Sequence, residues 1–304
     1  MKSGSKTVKS FRFSPSSSND SNSQNIIMKI YTFLLLICFT TLSKAQTHRF
    51  IYEYKFKPDS SATNYRNVNM ALDINPKDVK FYHYENIIND SLNKKGGNNH
   101  SASPDIPTLK RNKNSYQNTN YEMMMDYFSY TTEDKMDWKL SNETKTSGQY
   151  TLQKATTDFG GRHWTVWFCK DINISEGPYK FRGLPGLIFE LNDSKENFFF
   201  KLAKSQKLEK TYDTSDFLES FAGKKPVLVS IANMHKMMLQ FYNDPTKEMR
   251  EKFDDVPPGT FQVGGTKITS RDQFKDMAKV IQNFIAKNNN PMDLTNAVVY
   301  PKMN

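Results

Sequence analysis

Two side chains able to act as nucleophile and base, Cys169 and His163, lie six residues apart on either side of Trp167. If 162–171 is a strand they share a face, but at about 3.3 Å per residue they stand roughly 20 Å apart, too far for proton transfer. A buried strand cysteine and a sheet histidine account for them, since neither a nucleophile elbow nor a cysteine-protease signature accompanies the pair. His48 would be third in a chain starting at Gln46. That spacing lets an amine, two amides and an imidazole hold Cu(II) or Ni(II) in a plane, but the pattern is short, and an N-terminal Gln cyclises and removes the amine. Met123, Met124 and Met125, and the group Met234, Met237 and Met238, are soft-ligand candidates at positions where methionine ordinarily fills a core. His83, His100 and His235 show no zinc spacing. The paired acids Asp254–Asp255 and Asp134/Asp137 sit in polar turns, where a solvated carboxylate is ordinary. Neither a phosphate-cradling GxxxxGK loop nor a dinucleotide glycine motif occurs. No catalytic residue, metal or cofactor is therefore expected.

Aromatic surface is what remains. Phe, Trp and Tyr make up 13% of the chain. Trp164, Trp167, Tyr179 and Phe181 cluster around one heavily turned segment. Core packing is the plain use of such residues. The sharper reading is that part of an aromatic concave face opens as a groove for a lipid, peptide or glycan, with these four as candidate contacts.

The turned segment is specific. Gly177 and Pro178 open a turn, Gly183 precedes Leu184, and Pro185–Gly186 carries a type II signal, with Pro at the second position and Gly at the third. Leu187 and Ile188 then begin a strand. Tyr179, Phe181, Leu184 and Leu187 are placed to fix the turn against a core. The hexamer Gly183 to Ile188 reads GLPGLI. With Trp138–Lys139, Glu143–Thr144–Lys145, Gln153–Lys154–Ala155, Phe159–Gly160–Gly161–Arg162 and Trp167–Phe168, it resembles the GLPGLI family of secreted bacterial proteins, most strongly over 138–193. The resemblance implies an exported, mostly β protein and carries no established activity. Leu152 departs from the family pattern, many relatives having Cys there.

Export is also legible directly. Residues 28–45 read as a signal peptide: Lys29, an apolar run over 30–42 and the Ser43–Lys44–Ala45 cleavage box. The run is shorter than the roughly 20 residues a spanning helix needs, and Ile37 before Cys38 does not suit a lipobox. The Ser- and Asn-rich residues 1–27 read as an upstream extension, with Met28 as the true start. Six of the 42 basic and one of the 32 acidic residues lie in 1–45, so cleavage drops the net charge from +10 to +5 over a mature length of 259. The remaining Lys and Arg are dispersed among acids, which argues against nucleic acid. Cys169 would be the sole mature cysteine, excluding an internal disulfide.

The elements follow from periodicity. Phe50, Tyr52, Tyr54 and Phe56 alternate with Ile51, Glu53 and Lys55, and Val68, Met70, Leu72 and Ile74 repeat the pattern. Stretches 79–84, 122–131 and 136–141 continue it as an antiparallel meander. A polar interval over 86–119 reads as an insertion loop. Residues 150–159 and 162–171 flank Gly160–Gly161 as a hairpin, and 187–191 with 197–202 form another. Residues 230–241 and 271–287 show helical spacing through Ile231, Met234, Met238 and Phe241, and through Phe274, Met277, Ile281, Phe284 and Ile285. The expected fold is mainly β (α+β), a single domain over 46–304: a large curved antiparallel sheet or half-barrel with C-terminal helices packed against it. The expected function is a non-catalytic, exported cell-envelope binding or carrier module, periplasmic or outer-membrane associated, for a lipid, peptide, glycan or outer-membrane protein. Its rival is a secreted hydrolase using carboxylates or His in the same concavity.

Overall fold

The computed structural model describes residues 46–100, 106–257 and 259–301. The expected leader at 28–45 and the extension at 1–27 lie outside them.

The first meander is β1 (Thr47–Phe56), β2 (Arg66–Ile74), β3 (Asp78–His83), β4 (Thr108–Asn112), β5 (Gln117–Met123) and β6 (Tyr127–Glu133). The second is β7 (Lys139–Ser147), β8 (Tyr150–Phe159), β9 (Arg162–Cys169), β10 (Leu187–Asp193) and β11 (Phe198–Leu208). They join through antiparallel β1 and β11, and a short β12 (Val227–Leu228) adds in parallel to β6, giving the order β12-β6-β5-β4-β3-β2-β1-β11-β10-β9-β8-β7. The described residues also hold the α-helices α1 (Glu85–Asn93), α2 (Ile231–Asn243), α3 (Lys247–Asp254) and α4 (Gln273–Lys287), a small hairpin of Gln262–Val263 with Thr266–Lys267, and a 3-10 turn over Leu294–Asn296.

The sheet must curl, and the chain shows why. Strands β6 and β7 lie at or next to opposite ends of the order, yet only residues 134–138 connect them. Six Cα steps reach at most about 21 Å. The sheet therefore bends into an open half-barrel whose concave face holds the core. On that face Tyr54 stacks on Phe56 at 4.6 Å and on Phe200 at 4.2 Å, and Phe81 meets Phe200 edge-on at 6.1 Å. The convex face of β1 to β3 is capped by residues 209–225 and α1. There Arg49 grips Asp73 with two bonds of 2.6 Å, and Tyr82 Oη donates to the same carboxylate at 2.7 Å.

Four local expectations need correction. The interval 86–119 is not a loop: it holds nearly all of α1, the whole of β4 and the start of β5. Its strands were hidden because, Leu109 apart, the buried positions on them are Arg111, Asn118 and Asn120, so no apolar alternation appears. The stretch 122–131 is broken by a reversal at 124–126, and the strand expected at 136 begins at Lys139. Finally, Pro185–Gly186 is not a type II turn. The Gly186 N–H donates to Leu184 O at 2.8 Å, a three-residue turn centred on Pro185, and Gly186 has φ +153°. The hairpin at Gly160–Gly161 forms as expected, with φ +61° and +70°.

Candidate functional site

The segment from Cys169 to Leu187 is the long connection from β9 to β10. It folds into the concavity. Phe181 sits fully buried against Trp164 at 4.7 Å and Phe159 at 5.5 Å, with Leu184 and Leu187 beside it in the same core. The Ile188 N–H donates to Glu176 O, the Gly183 N–H to Ser175 O, and Tyr52 Oη donates to Ile188 O at 2.7 Å. Glu176, held between Arg111 and Arg182, anchors this plug to β4. Trp138 Nε1 donates to Arg182 O at 2.9 Å and Lys180 pairs with Asp134 at 3.0 Å, tying it to the 134–138 connection. Gly177, Pro178, Gly183, Leu184, Pro185, Gly186, Leu187 and Ile188 are thus parts of a core plug. Tyr179 takes an uncommon left-handed backbone, φ +54°, and its carbonyl accepts from Arg111 Nη1 at 3.0 Å.

Beside the plug the concavity stays open. A cleft of about 500 Å³ lies between the sheet and the C-terminal helices. Its floor is Tyr54, Phe56 and Phe198, with Asn120, Glu122, Tyr130 and Thr132 from the strands β5 and β6. Its roof is Ile231, Met234, His235, Met238 and Phe241 of α2, with Phe284 and Ile285 of α4. Ser230 caps α2 by accepting from the Asn233 N–H at 3.2 Å, which fixes where the apolar stripe starts. The tail closes one side. Asn290 Nδ2 donates to Lys57 O at 2.6 Å, Arg162 Nη2 donates to Pro291 O at 2.8 Å, and the Leu294 N–H donates to Gly160 O at 2.7 Å.

The polar end of the cleft gathers Lys180, Asp293, Glu122, Tyr130, Tyr179 and Tyr300. Burial works against the Asp293 charge. Hydrogen bonds from Thr295 and Asn296, together with the Lys180 ammonium, outweigh it and hold the carboxyl below its usual range. Burial foremost, then nearby charges including Glu122, pushes the Tyr130 and Tyr179 hydroxyls far up, so both are neutral donors.

The four aromatic candidates separate. Tyr179 lines the cleft. Trp164 and Phe181 are fully enclosed in the core and offer no surface to a ligand, while Trp167 points the other way and carries Lys145 over its ring at 4.5 Å. The helix residues Ile231, Met238 and Phe241 were legible as an apolar stripe, but nothing in the spacing says that the stripe faces a void. Met123 and Met124 also line the cleft. Cys169 is buried opposite Leu152, and His163, six residues back along the same strand and so on the same face as expected, is exposed and bonded to Asp158 at 2.8 Å. Ser194 lies across from His163, its N–H donating to His163 O at 2.8 Å, but this row sits on the open outer face away from the cleft. Among the described residues, no three His, Cys, Asp or Glu gather as a metal site, and no helix is long and apolar enough to cross a membrane.

A search of curated proteins gives no match. Among solved structures, PNGF-II in its C2 and P21 space groups is similar at a TM-score of 0.47 and 17% identity. The likeness covers 64% of this chain and 32% or 33% of PNGF-II, so the chain spans about a third of that protein's length. At this level it carries no functional inference. Over residues 161–190, which include the GLPGLI hexamer, the chain matches a family described as "Protein of unknown function (Porph_ging)".

Proposed function

We propose that this chain is an exported, non-catalytic binding module. It holds an amphipathic ligand with its apolar body along α2 and its polar end toward Asp293 and Tyr179. One observation carries the reading. The stripe Ile231, Met234, Met238 and Phe241 faces a cleft of about 500 Å³ floored by Tyr54, Phe56 and Phe198, where a folding helix would ordinarily meet packed side chains. That volume falls in the range of about 300–1,000 Å³ typical of small-molecule sites, and a mostly apolar wall with a few convergent polar groups is their usual make-up. Methionines at the roof suit ligands of varied shape, because their flexible thioethers adapt. A hydrolytic reading is weaker. A general acid needs a raised carboxyl, and Asp293 is held down.

Titration with the uncharged apolar dye Nile red tests it. The wild-type protein is expected to bind about one equivalent, and Met238→Lys and Phe241→Asp each to weaken binding at least tenfold without altering the melting curve. Unchanged affinity in both variants would remove the cleft from the account. Export, read from residues 28–45, predicts that the mature protein begins at Gln46, which mass spectrometry of the native N-terminus checks.

A further inference from the structure

The second half of α4 leaves apolar side chains in water. Phe274, near its start, is buried and meets Phe253 and Phe261 edge-on at 5.5 and 6.0 Å. Further on, Val280 and Phe284, one turn apart and so neighbours on the helix surface, are 67% and 64% exposed, and Val299 of the tail is 86% exposed. The three share one region of the molecule. Gln282 Nε2 donates to Tyr242 O at 2.8 Å and the Tyr242 ring lies 4.7 Å from that of Tyr300, so this stretch of α4, the end of α2 and the tail around Val299 meet. Phe284, Val298 and Tyr300 also line the cleft, which places the exposed tips where its wall reaches the surface.

The charge around these tips is positive. Helices α2 and α4 carry Lys236, Lys275, Lys279 and Lys287 against the single acid Asp276. Lys275 and Lys287 lean on Asp272 and Asp59 at 3.1 and 3.9 Å, but their side chains stay 79% and 74% exposed, and the lysines outnumber the acids even with these two counted. Apolar tips among exposed lysines match the headgroup region of an anionic bilayer, where the tips enter the acyl boundary and lysine stems reach phosphate. A protein partner fits less well. Three side chains offer far less than the roughly 800 Å² a side that a stable interface buries, and lysine is depleted from such interfaces.

We propose that the face formed by Val280, Phe284 and Val299 docks on an anionic lipid bilayer, with the lysines of α4 toward its phosphates. This goes beyond the binding reading above, since the bilayer is a docking surface and not the occupant of the cleft.

Vesicle co-sedimentation tests it on the chain from Gln46, which holds the whole described fold and lacks the leader's own apolar run. Binding to vesicles of phosphatidylcholine and phosphatidylglycerol in equal parts is expected to be at least tenfold tighter than to phosphatidylcholine alone, and to weaken as salt is raised. Val280→Asp and Val299→Asp, at exposed positions that do not line the cleft, should each reduce it at least fivefold while melting and Nile red affinity stay at wild-type values. Lys279→Glu combined with Lys287→Glu should abolish the preference for the anionic vesicles. Wild-type protein that ignores both vesicles, or Asp variants that bind them as wild type does, overturns the docking assignment and leaves the cleft untouched. A dimer in sedimentation velocity that Val280→Asp dissociates overturns it too, giving the face to a second copy of the chain. Vesicle binding without Nile red binding sinks the cleft reading alone.

Discussion

At the scale of single residues, the plug is set by one close approach. A Cβ on Gly186 would fall within the carbonyl of Cys169, and the backbone there has φ +153°, which side-chain-bearing residues rarely adopt. Gly186→Val should therefore destabilise the protein by more than about 2 kcal/mol, because plug and strand β9 must part to admit it. Pro185→Ala should cost less, as only a preset φ is lost. Urea denaturation of both variants checks the order, and an unshifted midpoint for Gly186→Val would mean that the contact is easily relaxed. The sequence marked Pro185–Gly186 as a turn, and it is one. It could not distinguish the four-residue turn from the three-residue turn observed, because both want Pro followed by Gly. Likewise Trp164 and Phe181 were visible as large aromatics near the turn. Their burial against each other depends on where the loop folds back, which no local spacing records.

At the scale of elements, the strands with apolar inner faces were legible and those with polar ones were not. β1, β2 and β9 place the pairs Tyr52 and Tyr54, Met70 and Leu72, and Trp164 and Val166 two residues apart in the core. β4 and β5 bury Arg111 against Glu176 and the Tyr179 carbonyl, Asn118 against Asp134 and Asn120 against Thr132, so their period-two signal is written in polar residues. The convex-face cap of residues 209–225 was equally silent, being held by charge more than by apolar surface. Glu219 accepts from Lys110 at 2.9 Å and from Thr214 at 2.7 Å, and pairs with Lys80 at 2.9 Å. Burial opposes its charge, but these bonds prevail and its carboxyl titrates below the ordinary 4.5. A depressed folded-state value means that the stabilisation is complete above the unfolded value and is lost as pH falls through the folded one. Amides of 209–225 should therefore keep their hydrogen-exchange protection from pH 7 to 5 and lose it below about 4.5. In Glu219→Gln that protection should already be weak at pH 7, so the gap between the two proteins closes in acid. A constant gap down to pH 3 would show that Glu219 does not hold the cap.

At the scale of the whole molecule, two meanders that meet only at β1 and β11 must also be fastened at their far ends to keep the concavity, and the plug does this with charge. Arg111 reaches from β4 to Glu176, Arg182 joins the same carboxylate and donates to Ser115 O at 3.1 Å, and Lys180 binds Asp134 in the 134–138 connection. All of these side chains are nearly solvent-free, and Arg111 Nε has no partner, so the arrangement has no slack. Isolated buried charges are costly, and removing one member of such a set strands the others. Glu176→Gln leaves two guanidiniums facing each other without their shared carboxylate, and should cost about 3–5 kcal/mol. Replacing Arg111, Glu176 and Arg182 together by Met should cost much less, since apolar groups of similar volume restore packing without stranded charge. The cleft distinguishes fastening from mere stability. Its floor is drawn from β1 and β11 and its polar end from β5, β6 and the plug, so loosening the far ends should weaken Nile red binding in the triple Met variant even where its unfolding midpoint approaches that of the wild type. Wild-type affinity in that variant, measured well below its melting temperature, would show that the curl stands on the short 134–138 connection and the aromatic core alone.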